Sequence, residues 1–117
     1  LAAGTMADGQ VVCAEAGGVE GEAKKSMDDF KVAFKKKFGV DVQLYAPYVY
    51  DALNTMVAAM VKAGSPDPAK YLPELAKITH NGVTGTIAFD GKGDIKNGAL
   101  TLYTYKGGNR EQIAVVR

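Results

Sequence analysis

Apolar residues recur at helical spacing through the first two thirds of the chain and at strand spacing through the last third. Met27, Phe30, Phe34 and Phe38 share one helical face. Ser26 followed by Asp29 has the form of a capping box, which predicts a helix starting at Ser26. Lys35, Lys36 and Lys37 place cations in its last turn, and Gly39 is predicted to end it. A second helix opens near Pro47 and carries a broad apolar stripe of Val49, Leu53, Met56, Val57, Met60 and Val61 before Gly64 closes it. Asp67 as N-cap and Pro68 at the first helical position predict a third helix, with Tyr71, Leu72, Leu75 and Ile78 facing inward and Pro73 near its first turn.

Around these helices the period is two. Gln10–Ala16 is predicted to be a strand, followed by a Gly-rich loop to Gly21. Val83, Gly85, Ile87 and Phe89 alternate with Thr84, Thr86 and Ala88, which predicts one half-buried strand. Residues 90–94 form a turn. A strand then runs from about Ala99 to Lys106, and Gly107-Gly108-Asn109 turns it into a last strand over residues 112–116. The order of strand, three helices and strands predicts an α/β fold, with the helices packed on a small sheet. A sheet of this size covered on one side leaves apolar surface in need of a partner.

At 117 residues with 47% hydrophobic and 23% charged positions, the composition is that of one globular domain, not of a disordered chain. The formal charge of +1 gives no electrostatic footprint for nucleic acid or an anionic membrane. The longest apolar stretch is interrupted by Asp51, Asn54 and Lys62, so no membrane span is predicted, and no signal peptide is visible. Leu1-Ala2-Ala3-Gly4 has the start of a lipoprotein box but is followed by Thr5, not Cys. Because the chain begins with Leu, it is expected to derive from something longer.

The residues that could carry chemistry are few. Cys13 has no second cysteine, and His80, the one histidine, falls in a predicted polar turn far along the chain. Residues 16–21 (AGGVEG) resemble a dinucleotide fingerprint, but Glu15, Glu20 and Glu22 would repel phosphate. Residues 90–98 have Lys92 and Ile95 where a calcium loop needs an oxygen ligand and a glycine. No carboxylate pair, nucleophile elbow or metal-ligand set is recognisable, so the chain is expected not to be an enzyme and to need neither cofactor nor metal. Tyr45, Tyr48 and Tyr50 cluster at the entrance of the second helix, either as ordinary packing or as an apolar wall for a small ligand.

Three ordered blocks carry a family resemblance. Residues 45–54 (YAPYVYDALN), 62–68 (KAGSPDP) and 82–94 (GVTGTIAFDGKGD) resemble motifs of the leucine/isoleucine/valine-binding class of type I periplasmic binding proteins, and residues 100–106 (LTLYTYK) are similar to that family's last crossover strand. The resemblance spans nearly the whole chain but only the last third of a family member. It implies two α/β lobes joined by three crossover strands, with an amino acid bound between them. Residues 1–9 would end the C-terminal lobe, 10–16 would be a crossover strand, 22–98 would be N-terminal-lobe helices and strand, and 99–117 would be the last crossover strand and hairpin. Of the family's ligand contacts, the aromatic residue before the central helix matches Tyr45, with Tyr48 a second candidate.

The function the resemblance implies is the periplasmic solute-binding component of an ABC transporter for branched-chain or related amino acids, with the small-molecule amino acid and the transporter permease as partners. The alternatives are an amino acid- or amide-sensing receptor or regulator of the same fold, and a stand-alone structural or interaction domain. With the groups that hold the ligand's carboxylate missing, the chain alone is expected not to bind leucine appreciably and to self-associate through its bared faces.

Overall fold

A computed structural model describes residues 4–10, 12–16 and 19–116. The chain divides into two compact units, one of residues 19–96 and one built from the described residues before 19 and from Asn97 onward. The longer unit holds helices α1 (Glu22–Phe38), α2 (Ala46–Ala63) and α3 (Pro68–Leu75) and the hairpin β2 (Thr79–Asn81)–β3 (Thr86–Ala88). The shorter unit is an antiparallel sheet in the order β1–β4–β5, from Cys13–Glu15, Leu100–Lys106 and Asn109–Val116, preceded by one 3₁₀ turn at Gly4–Ala7. The α/β class follows. Of the predicted first strand only Cys13–Glu15 is strand among the described residues; Val11, Gly17 and Gly18 lie outside them.

Helix α1 begins at Glu22, four residues before the predicted Ser26, with Gly21 at its N-cap and no side-chain cap. Glu22, Ala23, Lys24 and Lys25 are all good helix formers and extend it backward. Asp29 does not close a capping box; it accepts a hydrogen bond from Lys25 Nζ at 2.7 Å, one turn back. Gly39 closes the helix as expected, its N–H donating to Lys35 O. Met27 is buried, and the Phe30, Phe34 and Phe38 rings form a ladder with centroids 5.9 and 4.7 Å apart.

Helix α2 buries a face other than its most apolar one. Pro47, Asp51, Thr55 and Ala59 are buried, whereas Val49, Leu53, Val57 and Val61 are 66, 56, 46 and 76% exposed. Helix α3 packs against α2. Helix α3 starts as predicted, with Asp67 Oδ1 accepting from Ala69 N at 3.0 Å. It ends at Leu75, so Ile78 is buried beyond the helix, and Leu72 is exposed.

The predicted strand over 83–89 is shorter. It is β3 alone, paired with β2 through Thr79↔Ala88, His80↔Ile87 and Asn81↔Thr86. His80 therefore lies in a strand, half-buried, and not in a polar turn. Residues 82–85 turn between the two strands because Asp51 takes up their backbone donors.

In the shorter unit the hairpin is the predicted one. Lys106 pairs with Asn109, and the two turn residues, Gly107 and Gly108, have φ of 59° and 73°. Two positive φ angles in a two-residue loop make the turn whose twist matches its strands, and glycine adopts them without steric cost. β5 begins at Asn109, earlier than expected, and Ile113 is the extra residue of a bulge between the Leu102↔Ala114 and Tyr103↔Gln112 pairs. Thr101 and Tyr103 are buried on one face of β4. Arg110 lies over the Tyr103 ring, 4.4 Å from its centroid, and pairs with Glu15.

Candidate functional site

The α2 entrance is built by its sequence. Ala46 N donates to Gln43 O at 3.2 Å and Val49 N to Tyr45 O at 3.0 Å, so the chain enters the helix with Tyr45 as N-cap and Pro47 in the first turn, where a missing N–H is harmless. Tyr45 and Tyr48, three residues apart, fall on neighbouring positions of that first turn. Tyr45 is 64% exposed and Tyr48 half-buried. Tyr50 is different. Its ring packs on Phe30 at 5.0 Å and ties α2 to the aromatic ladder of α1. The structure thus separates the cluster into a packing residue, Tyr50, and two residues that could face a ligand.

What holds this entrance in place is Asp51, which the sequence showed as a break in an apolar run and as part of the 45–54 block, with no structural role assigned. Its carboxylate is 1% exposed. Oδ1 accepts from Val83 N at 2.9 Å, and Oδ2 accepts from Thr84 N at 2.8 Å and Thr84 Oγ1 at 2.5 Å. Gly82 N donates to Gly85 O at 2.9 Å and folds the turn around the carboxylate. A Cβ on Gly82 would lie 2.3–2.6 Å from three atoms of the Asp51 carboxyl group, so only glycine fits there. A buried carboxylate with three donors is a satisfied one, and it pins the first turns of α2 to the β2–β3 turn. The signal was available: a lone acid in an apolar helix, with a G-x-T-G turn downstream.

The arrangement can present an aromatic surface to a small molecule. Cys13 and His80 belong to different units. Among the described residues, no group of three or more His, Cys, Asp and Glu side chains could hold a metal ion. No helix among them is long and apolar enough to cross a membrane.

A family model described as periplasmic binding protein matches residues 1–110. The chain belongs to the periplasmic binding protein family. Within it, the chain resembles members that handle branched-chain amino acids. It is 34% identical over 73 residues to the leucine-, isoleucine-, valine-, threonine- and alanine-binding protein of Pseudomonas aeruginosa, a match covering 62% of this chain and 20% of that protein. An ABC transporter substrate-binding protein from Desulfitobacterium hafniense superposes with a TM-score of 0.79 at 28% identity, over 95% of this chain and 33% of that one. A second structure of such a protein from the same organism, solved in complex with leucine, gives 0.73 at 26% identity over 87% of this chain and 30% of that one. The chain therefore spans a third or less of the length of these relatives.

Proposed function

We propose that these 117 residues serve as the C-terminal part of a periplasmic solute-binding protein that captures a branched-chain or related amino acid and delivers it to an ABC transporter permease, with no catalytic step of its own. The observation that carries this reading is the family match over residues 1–110, joined by a relative whose printed specificity is for leucine, isoleucine, valine, threonine and alanine. In this reading Tyr45 is the aromatic wall of the ligand cleft and Tyr48 borders it. Residues 22–98 belong to the N-terminal lobe, 1–9 end the C-terminal lobe, and 10–16 and 99–117 supply crossover strands. The break between the two units, at residues 18/19 and 96/97, supports that division.

Asp51 gives the reading a physical basis. An aromatic wall contributes to affinity only if its ring is held before the ligand arrives, because ordering a mobile ring on binding costs free energy. The Asp51 clamp fixes the helix turn that carries Tyr48 and follows Tyr45.

The test is a chimaera in which residues 1–117 replace the matching segment of the Desulfitobacterium protein solved with leucine. Calorimetric titration is expected to show saturable leucine binding. Tyr45→Ala is expected to weaken it about 10- to 100-fold, the equivalent of one buried aromatic face at about 1.5–3 kcal/mol. The 117-residue chain alone is expected to show none. A folded chimaera that binds no aliphatic amino acid, or one indifferent to Tyr45→Ala, refutes the proposal.

A further inference from the structure

We propose that Asn97-Gly98 is a site of self-modification, where the chain converts an asparagine to aspartate and isoaspartate without an enzyme, and that the fold protects the second such pair, Asn81-Gly82. The chain holds four asparagines, and these two are the ones followed by glycine.

The reaction needs that neighbour. Gly98 N attacks the side-chain carbonyl carbon of Asn97. The new N–Cγ bond closes a cyclic imide as the Cγ–Nδ2 bond breaks, and the Gly98 proton leaves with the departing nitrogen as ammonia. Water then opens the imide at either carbonyl. Opening at Cγ gives aspartate. Opening at the backbone carbon gives isoaspartate, in which the main chain runs through the former side chain. Glycine has no Cβ to obstruct the attack and the widest freedom to rotate into it.

The two pairs differ in what holds them. Asn81 ends β2 opposite Thr86, and its Oδ1 accepts from Thr86 Oγ1 at 3.1 Å. The attacking atom there, Gly82 N, donates to Gly85 O at 2.9 Å. The next two backbone donors, Val83 N and Thr84 N, are held by the Asp51 carboxylate. Gly82 N can reach the Asn81 side chain only when this turn opens. Asn97 is exposed and lies between the turn closed by Lys96 N, which donates to Ala88 O, and the start of β4 at Leu100. Among the described residues, neither its side chain nor Gly98 N has a hydrogen-bond partner. Its φ of 54° is the positive value among the described non-glycine residues. An L-residue is disfavoured in that region, so rotation out of it toward the attack geometry is not opposed by the backbone. The other two asparagines are fixed in regular structure and lack the glycine: Asn54 lies inside α2 before Thr55, and Asn109 opens β5 before Arg110.

The place gives the change its consequence. The chain passes from one compact unit to the other between Lys96 and Asn97. Either product adds one negative charge, taking the formal net charge from +1 to zero. Isoaspartate also adds one carbon to the backbone of the connection, outside the paired residues of β3 and β4.

The proposal does not rest on the transport reading. The test is to incubate the 117-residue chain in mildly alkaline buffer and follow both pairs by peptide mass spectrometry, with fragmentation that separates aspartate from isoaspartate. The Asn97 peptide is expected to gain the mass difference between an amide and an acid and to contain both products. Asn97 is expected to convert at least about tenfold faster than Asn81, equivalent to about 1.4 kcal/mol of opening at the Asn81 turn. In denaturing guanidinium the two rates are expected to converge, because the same residue follows both. Gly98→Ala, which meets no left-handed backbone because Gly98 is not among the positive-φ glycines, is expected to slow Asn97 severalfold with an unchanged far-ultraviolet spectrum. Asp51→Ala is expected to speed Asn81 and leave Asn97 as it was. Equal native rates at the two pairs, an Asn97 product without isoaspartate, or a rate difference that persists in guanidinium overturns the proposal.

Discussion

Removal of the Asp51 carboxylate is the sharpest perturbation the structure offers. In Asp51→Ala three donors lose their acceptor: the N–H groups of Val83 and Thr84 and the Thr84 hydroxyl. Hydrogen bonds to a charged acceptor contribute about 1.5–3 kcal/mol each, but residues 83 and 84 are half-buried, so water recovers part of the loss. The expected cost is about 3–4 kcal/mol. A unit the size of residues 19–96 has about 4–12 kcal/mol in all, so the loss is a large fraction of its stability. In urea the midpoint should fall by about 2 M or more, followed by circular dichroism. Gly82→Ala attacks the same contact from the other side. Gly82 does not have a positive φ, so an alanine there meets no backbone penalty and is opposed only by the carboxylate its Cβ would strike. Once Asp51→Ala has removed that carboxylate, Gly82→Ala should cost little. The double-mutant cycle is expected to give a coupling of about 2 kcal/mol or more. Additive effects, or an Asp51→Ala cost below about 1 kcal/mol, refute the clamp.

Thr55, one turn beyond Asp51, is 3% exposed, and its hydroxyl has no hydrogen-bond partner among the described residues, so Thr55→Val should leave the melting temperature unchanged or raise it by the equivalent of about 1 kcal/mol. In the shorter unit, Asp8 accepts from Gly107 N at 2.6 Å and Gly108 N at 3.1 Å; Asp8→Ala should speed amide exchange at both glycines while β1–β4 pairing persists. Asp90 is held below its ordinary value of 3.8, first by the Lys92 N–H and then by the Asp94 N–H, with desolvation opposing and Gly93 and Lys96 adding smaller effects in the same direction as the first two. A depressed carboxylate pKa favours the folded turn above the unfolded value and loses that effect as pH falls through the folded one. Carbon-13 titration should therefore place Asp90 below 3.8, with the 90–94 turn loosening only at more acidic pH; a midpoint at or above 3.8 contradicts the turn geometry.

The ends of elements were legible because they depend on local chemistry. Gly39, Gly64, the Asp67-Pro68 start and the Gly107–Gly108 turn each act through their own backbone or the next residue or two, and each falls where the pattern predicted. The three sequence blocks gave the family for a similar reason: their order and spacing are properties of the string. What the pattern missed depends on partners far along the chain. Asp51 meets its donors 32 and 33 residues later. β2 exists because β3 lies beside it, and a three-residue strand with a histidine at its centre has no periodic signal. The start of α1 was misplaced because a capping box outweighed helix formers that need no cap.

At α2 the pattern and the structure part in another way. The Val49–Val61 stripe is the more apolar face by side-chain chemistry. The structure buries the opposite one, Pro47–Asp51–Thr55–Ala59, because a carboxylate with three donors and an alanine at 0% exposure fit closely against what lies beside them. A helix with both faces suited to burial needs two partners. Among the described residues it has one. The second face begins at Tyr45, which is also the residue proposed for the ligand wall. In the chimaera, Leu53→Glu is expected to lower the urea midpoint because it sets a charge into an apolar stripe, whereas Tyr45→Ala is expected to weaken leucine binding and leave the midpoint unchanged. A chimaera as stable with Leu53→Glu as without it refutes the need of this face for an apolar partner.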